Sequence, residues 1–279
     1  MEINLIRAST RFCHLYDMEA DYGIYKVKIL KDDDLEFVLE NAQKVVMFVG
    51  NRERGKTLAE EQNAKDKNSA EFLEARDKAT SKTAQSLETF HRFESKILFV
   101  TKVLDVGVSI EDPEIDTIII DPTTRTNFLQ MLARVRLKKG QRPTVYVFQS
   151  TNKFFEHRVE QNRDYAKLAY ELLKERKSNP KEFAAKISLG EVEAYTPEML
   201  QRFTFKDGNG QWRINELSCI QTLIDYDFYV QMACEIADDE NAFVKTQLSW
   251  MKKKFSVKDF VALERQEAVK KKLSTCLTS

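Results

Sequence analysis

KILFVTKVLDVGVSIEDPEIDTIIIDP, residues 96–122, contains two short apolar runs, ILFVT (97–101) and TIIID (117–121), each bounded by polar residues. Apolar side chains at nearly every position, rather than at alternate ones, indicate strands buried on both faces, as in a parallel sheet covered by helices. VVMFV (45–49) and TVYVF (144–148) read the same way, and charged, helix-like stretches separate the four runs. That alternation predicts an α/β fold with a parallel sheet flanked by helices. YGIYKVKIL (22–30) alternates like a half-exposed strand, and DDDLEFVLENA (32–42) opens with acids suited to a helix N-terminus. The first domain is therefore placed at residues 1–150, with 1–43 as its lead-in.

Beyond Phe148 the apolar positions take helical spacing. Tyr165, Leu168, Ala169 and Leu172 stand at offsets 0, 3, 4 and 7, and Leu217, Ile220, Ile224 and Phe228 at 0, 3, 7 and 11. FTFKDGNGQWRI (203–214) sets Asp-Gly-Asn-Gly between two β-prone runs and predicts one hairpin. Residues 151–279 are read as a helical extension interrupted by that hairpin. Its lysine runs, MKKKF (251–255) and KKK (270–272), suit a solvated helix face or a phosphate-tracking surface. Phe154, Phe155, Tyr165 and Trp212 suit core packing or base stacking.

Composition narrows the function classes. Lys plus Arg and Asp plus Glu both number 44 in 279 residues, which excludes a uniformly basic nucleic-acid coat and requires any basic site to be local. Eight Gly and five Pro argue against turn-dense sandwiches and propellers. The four cysteines, Cys13, Cys219, Cys234 and Cys276, are widely spaced and have three histidines to help them, so no zinc site is expected. The N-terminus lacks the apolar run of a signal peptide and no stretch approaches a membrane span, so a reducing, cytoplasmic setting without membrane partners is expected.

GNRERGKT (50–57) fits the phosphate-loop spelling and follows the VVMFV strand. In that reading backbone N–H groups wrap phosphates, Lys56 reaches the outer ones, Thr57 ligands magnesium, and TIIID supplies an acidic strand end. Arg52, Glu53 and Arg54 stand where small residues usually let the backbone curl, and a glutamate there opposes an anion.

KILFVTKVLDVGVSIEDPEIDTIIIDP and FLQMLARVRLKKGQ (128–141) together resemble motifs V and VI of superfamily 2 helicases of the DEAD/DEAH type, in their second RecA-like lobe. Thr101, Gly107 and Ile110 match motif V, and Gln130 and Arg134 match motif VI. VVMFVGNRERG falls where motif IV belongs, and SKTAQSLETF (81–90) resembles the helix before motif V. The resemblance spans roughly residues 40 to 150 and is similar to helicase-like proteins of mobile elements and prophages. Under it, Gly50–Thr57 is a strand-to-helix turn on the nucleic-acid side.

On a helix, Phe128, Met131, Leu132 and Val135 form one stripe, while Gln130 and Arg134, four apart, share another face. The resemblance implies that Arg134 is an arginine finger toward the γ-phosphate of ATP, with Gln130 beside it, and that Gly107 and Ser109 lie near the nucleotide. Ala133 replaces the family's usual Gly, and Ser109 an Asp that touches the ribose, which leaves ribose binding open. The second family arginine is displaced to Arg136, about 160° from Arg134 on a continuing helix. It can assist only if the helix ends first.

The resemblance further implies single-strand backbone contacts by Gly50, Asn51 and Arg52, the Thr80 to Lys82 turn and Thr101, without base readout. ATP and Mg2+ would be held with an N-terminal RecA-like lobe carrying the phosphate loop and Asp-Glu box, which no residue pair upstream supplies. The chain is accordingly read as an excised piece of a larger helicase, inactive alone, with a degenerate remnant of one as the other possibility. Two other readings stay open: a self-contained P-loop NTPase using Gly50–Thr57, and a non-catalytic adaptor whose helical tail binds protein.

Overall fold

The structure, a computed structural model, describes residues 22–74, 81–101, 109–178, 201–210 and 212–278. Its main sheet contains β1 (Lys26–Leu30), β2 (Val45–Phe48), β3 (Ala70–Leu73), β4 (Ile97–Val100), β5 (Thr117–Ile120) and β6 (Thr144–Phe148). The order is β1-β6-β5-β2-β4-β3, and every pair is parallel. All residues of β2, β4 and β5 are buried, as continuous apolar runs require when helices cover both faces. The fold class is α/β, a six-stranded all-parallel sheet with helices between its strands.

Between these strands lie the helices α1 (Leu35–Asn41), α2 (Arg52–Lys65), α3 (Lys82–Phe90) and α4 (Arg125–Arg134). Met47, Phe99, Ile119 and Phe148 from the sheet pack with Leu35, Val38 and Leu39 of α1 and Ala59 of α2. β3 is absent from the sequence reading. AEFL is short, carries Glu71 and lies at the sheet edge with two half-buried residues, so it lacks the apolar run that marks a central strand.

The chain forms two compact units, and their boundaries correct the expected division. The helical extension does not run to residue 279: one unit is Ser150–Phe243, and residues from Val244 onward return to the α/β unit. Gln247, fully buried, donates its Nε2 N–H to the Phe148 carbonyl at 2.8 Å. Trp250, the last residue of α7 (Ala242–Trp250), packs on Phe128 of α4 with ring centroids 5.4 Å apart. Phe260 bridges to Ile29 of β1 in parallel sense. Glu264 and Arg265 of α8 (Val261–Thr278) pair with Lys28 and Asp34. These contacts join residues far apart in sequence, which local periodicity cannot register.

The second unit pairs α5 (Asn152–Ser178) with α6 (Glu216–Asp238) and carries the hairpin β7 (Thr204–Lys206) and β8 (Trp212–Ile214). Gly210, at φ +76°, closes its turn, and Asp207 accepts from the Gly210 N–H at 2.9 Å. Leu168, Ala169 and Leu172 are buried with Phe203 and Cys219, and Tyr165 packs against them. On α6 the sequence stripe fails: Leu217 and Ile224 are each 57% exposed, while Cys219, Thr222, Met232 and Ile236 face inward. Phe155 is fully buried with its ring 4.9 Å from that of Phe243, and Phe154 stands edge-on to it, so this pair serves the core.

Candidate functional site at the carboxyl edge of the sheet

The chain leaves β2 through α2 toward β3, and leaves β5 through α4 toward β6, on the opposite side. Because β2 and β5 are neighbours, a crevice opens between their carboxyl ends. Asp121 stands in it: its N–H donates to the Phe48 carbonyl at 2.9 Å, and its Oδ2 accepts from the Gly50 N–H at 3.0 Å. Arg54 lies 3.8 Å from Oδ1 and 2.7 Å from Asp32.

This geometry overturns the phosphate-loop alternative. A phosphate loop needs several free backbone N–H groups turned around an anion before its helix starts. Here the helix begins at Arg52, the Gly55 N–H is bonded to the Asn51 carbonyl at 3.1 Å, and a carboxylate already holds the Gly50 N–H. Asn51 is the N-cap, its side chain accepting from the N–H groups of Glu53 and Arg54. Gly55 is needed for packing: a Cβ there would stand 2.5 Å from the Phe72 ring and 2.8 Å from Val49. Lys56 faces Glu74 at 4.0 Å.

The candidate strand contacts assemble around β2, β4 and β3. Phe48 pairs with Val100, and the Val49 N–H donates to the Val100 carbonyl at 2.8 Å, so Val49 falls opposite Thr101 and Gly50 follows one residue on. The Thr101 Oγ1 is buried and finds no hydrogen-bond partner among the described residues. Arg52 pairs with Glu74 at 2.7 Å, just past β3. Lys82 is exposed in the first turn of α3, whose N-cap Ser81 accepts from the Ala84 N–H. Glu71 of β3, which accepts from the Thr83 hydroxyl, ties that helix start to the sheet. Burial, and secondarily the charge of Glu94, push the Glu71 carboxyl above its ordinary range. Thr80 and Gly107 lie outside the described residues.

The second group forms at the end of α4. Phe128, Met131, Leu132 and Val135 are buried, Gln130 is exposed and Arg134 is half-buried, which is the predicted partition of faces. The helix stops at Arg134, and Val135 adopts an extended backbone that bridges to Ile110. The Ile110 N–H donates to the Arg134 carbonyl and the Arg136 N–H to the Ile110 carbonyl, both at 2.8 Å. Ser109, buried and with its hydroxyl 3.4 Å from Glu111, is thereby held beside Arg134 and Arg136. Arg136, exposed and 3.8 Å from Glu111, is freed from the helical periodicity that would have turned it away.

Asp121 and Glu74 organise the edge without having been singled out as contacts. The signal for Asp121 was the acid ending an apolar run; Glu74 had none, because β3 itself was not legible.

No protein-family model and no curated protein matches the chain. Solved structures similar to it include the Mycobacterium smegmatis helicase Lhr bound to single-stranded DNA and AMP-PNP, 13% identical, with a TM-score of 0.33 over 44% of this chain and 19% of that one. The E. coli DEAD-box protein SrmB, bound to regulator of ribonuclease activity A, is 16% identical, with a TM-score of 0.31 over 44% of this chain and 74% of SrmB. Domain 2 of the Mss116p DEAD-box helicase, bound to an RNA duplex, is 13% identical, with a TM-score of 0.33 over 57% of this chain and 79% of that one. The chain thus spans about a fifth of the length of Lhr. No helix among the described residues is long and apolar enough to cross a membrane.

Proposed function

We propose that this chain is the second motor lobe of an ATP-dependent nucleic-acid helicase or translocase, supplying motifs IV, V and VI and acting with a first RecA-like lobe. The observation that carries the reading is the junction of Ile110 with Val135. It bonds the backbone of Ile110 to those of Arg134 and Arg136, with Ser109 next in the chain, which supports reading these two segments as motifs V and VI. Asn51, Lys82 and Thr101 then offer side-chain donors for phosphate oxygens, Gly50 and Arg52 join them only by exchanging Asp121 and Glu74 for phosphate, and base edges are left unread, so strand binding is sequence-independent.

ATP and Mg2+ belong to the joined lobes. Within this chain Arg134 supplies a guanidinium for the charge that spreads over the γ-phosphate during transfer, and Gln130 shares its helix face. Ser109 cannot hold a ribose as a carboxylate would.

The test is nucleic-acid-stimulated ATPase of the complete two-lobe protein. Arg134→Ala is expected to lower turnover at least about tenfold, within the roughly 10³ to 10⁵ attributable to such an arginine, while melting temperature and oligonucleotide binding hold. The chain alone should not turn over ATP, and Lys56→Ala should change nothing. Steady turnover by the chain alone, lost in Lys56→Ala, would reject the reading. The adaptor reading draws on α6, where Leu217 and Ile224 are exposed, and gains if neither assay shows nucleotide dependence.

A further inference from the structure

From Val244 to the C-terminus the sequence has nine Lys and Arg against three Asp and Glu, a surplus of six, so the rest of this balanced chain has the matching deficit. The structure holds four of these lysines, Lys252, Lys253, Lys254 and Lys258, in one turn. Leu248 and Met251 are buried, the Lys253 N–H donates to the Leu248 carbonyl at 2.8 Å, and Lys252 takes the left-handed conformation at φ +55°. This is a closed helix-ending turn, so the lysines of MKKKF leave a fixed backbone. On its far side Phe255 packs edge-on against Phe260, with centroids 6.2 Å apart, and Phe260 is bridged to Ile29 of β1.

Lys252, Lys254 and Lys258 are consequently held exposed beside the amino end of β1, where Lys26 is exposed and Lys253 Nζ lies 3.5 Å from the Gly23 carbonyl. Two basic groups nearby are consumed, Lys28 by Glu264 and Arg265 by Asp34. Lys26, Lys254 and Lys258 have no ion-pair partner among the described residues.

We propose that this lysine turn on β1 is a second, sequence-independent nucleic-acid surface that tracks the phosphodiester backbone. Ammonium groups are hydrated point charges that accept phosphate without directional demands, and several together create the local potential that a neutral chain otherwise lacks. A lipid surface would also require an apolar anchor. Within residues 251–260 only Val257, 63% exposed, is a large hydrophobic residue left open. The surface is distinct from the strand contacts of the proposed lobe. β1 and β4 are four strand spacings apart, about 19 Å at ~4.8 Å each, and the lysine turn lies at the amino end of its strand while the strand contacts lie at the carboxyl end of theirs, a further ~16 Å along the sheet, so the two surfaces bind independently.

The experiment is fluorescence anisotropy of the full chain with two unrelated labelled oligonucleotides across a salt series. A Lys252→Gln, Lys254→Gln, Lys258→Gln variant is expected to weaken binding about tenfold for both, and to flatten the log K against log salt slope by about 2, since each single-strand phosphate contact contributes ~0.7. The corresponding triple arginine variant should bind like wild type. Unchanged affinity and slope in the glutamine variant would overturn the proposal. So would a loss that the arginine variant shares together with a lowered melting temperature. Loss confined to Thr101→Ala would also remove this surface while leaving the lobe reading standing; loss confined to the glutamine variant removes the lobe's strand contact instead. Dependence on these lysines for anionic phosphatidylserine vesicles but not for oligonucleotides would refute it as well.

Discussion

Gly55 carries the clearest consequence of a single atom. Elsewhere in a helix, alanine in place of glycine gains up to ~1 kcal/mol from backbone entropy. At Gly55 the added Cβ would stand 2.5 and 2.8 Å from Phe72 and 2.8 Å from Val49, so a ring in β3 and a buried valine must both give way. Overpacking of this kind costs ~1–3 kcal/mol, and Gly55→Ala is expected to lower the melting temperature with no effect on nucleotide. Glu71 makes a pH prediction. Its carboxyl is raised above 4.5 by burial and then by Glu94, so as pH rises through 4.5 the unfolded chain releases its proton before the folded one. Folded protein then binds more protons than unfolded, and stability falls with pH in that range. Glu71→Gln removes the penalty. Its melting temperature relative to wild type should be higher at pH 7.5 than at pH 4, and an equal difference at both would show that burial at this carboxylate does not matter.

At the scale of elements, helical periodicity succeeded on α5 and misled on α6, and the two are separable by mutation. Leu168 is fully buried against Phe203 and Cys219, so Leu168→Ala should cost about 2–5 kcal/mol in denaturant unfolding. Ile224 is 57% exposed, so Ile224→Ala should stay within about 0.5 kcal/mol. The stripe Leu217, Ile220, Ile224, Phe228 was a real pattern in the sequence, but α6 also offers Cys219, Thr222, Met232 and Ile236 on another face. A helix apolar on two sides does not say which side its neighbour will take. α4 is the opposite case. One apolar stripe left no choice, so the faces of Gln130 and Arg134 were legible, while the stop at Arg134 was not. It depends on Val135 finding Ile110, a partner 25 positions away.

At the scale of the molecule, the α/β unit is closed by residues from the far end of the chain. Trp250, 7% exposed on the ring of Phe128, braces the helix that carries Arg134. Trp250→Ala should lower stability by ~3–5 kcal/mol, the usual cost of emptying a large buried aromatic site, and calorimetry or denaturant melts will measure it. A loss under about 1 kcal/mol would mean that the returning segment is not integral. By itself the sequence determined the central strands, the hairpin and the faces of α4, because each follows from side chains within a few residues: burial on both faces, a glycine turn, a 3.6-residue period. Only the tertiary structure decided that β3 is a strand, that Asp121 closes the Gly50 turn, which face of α6 is inward, and that residues from Val244 rejoin the sheet. Those depend on contacts between residues distant in the chain, whose free energy appears only after the backbone has brought them together.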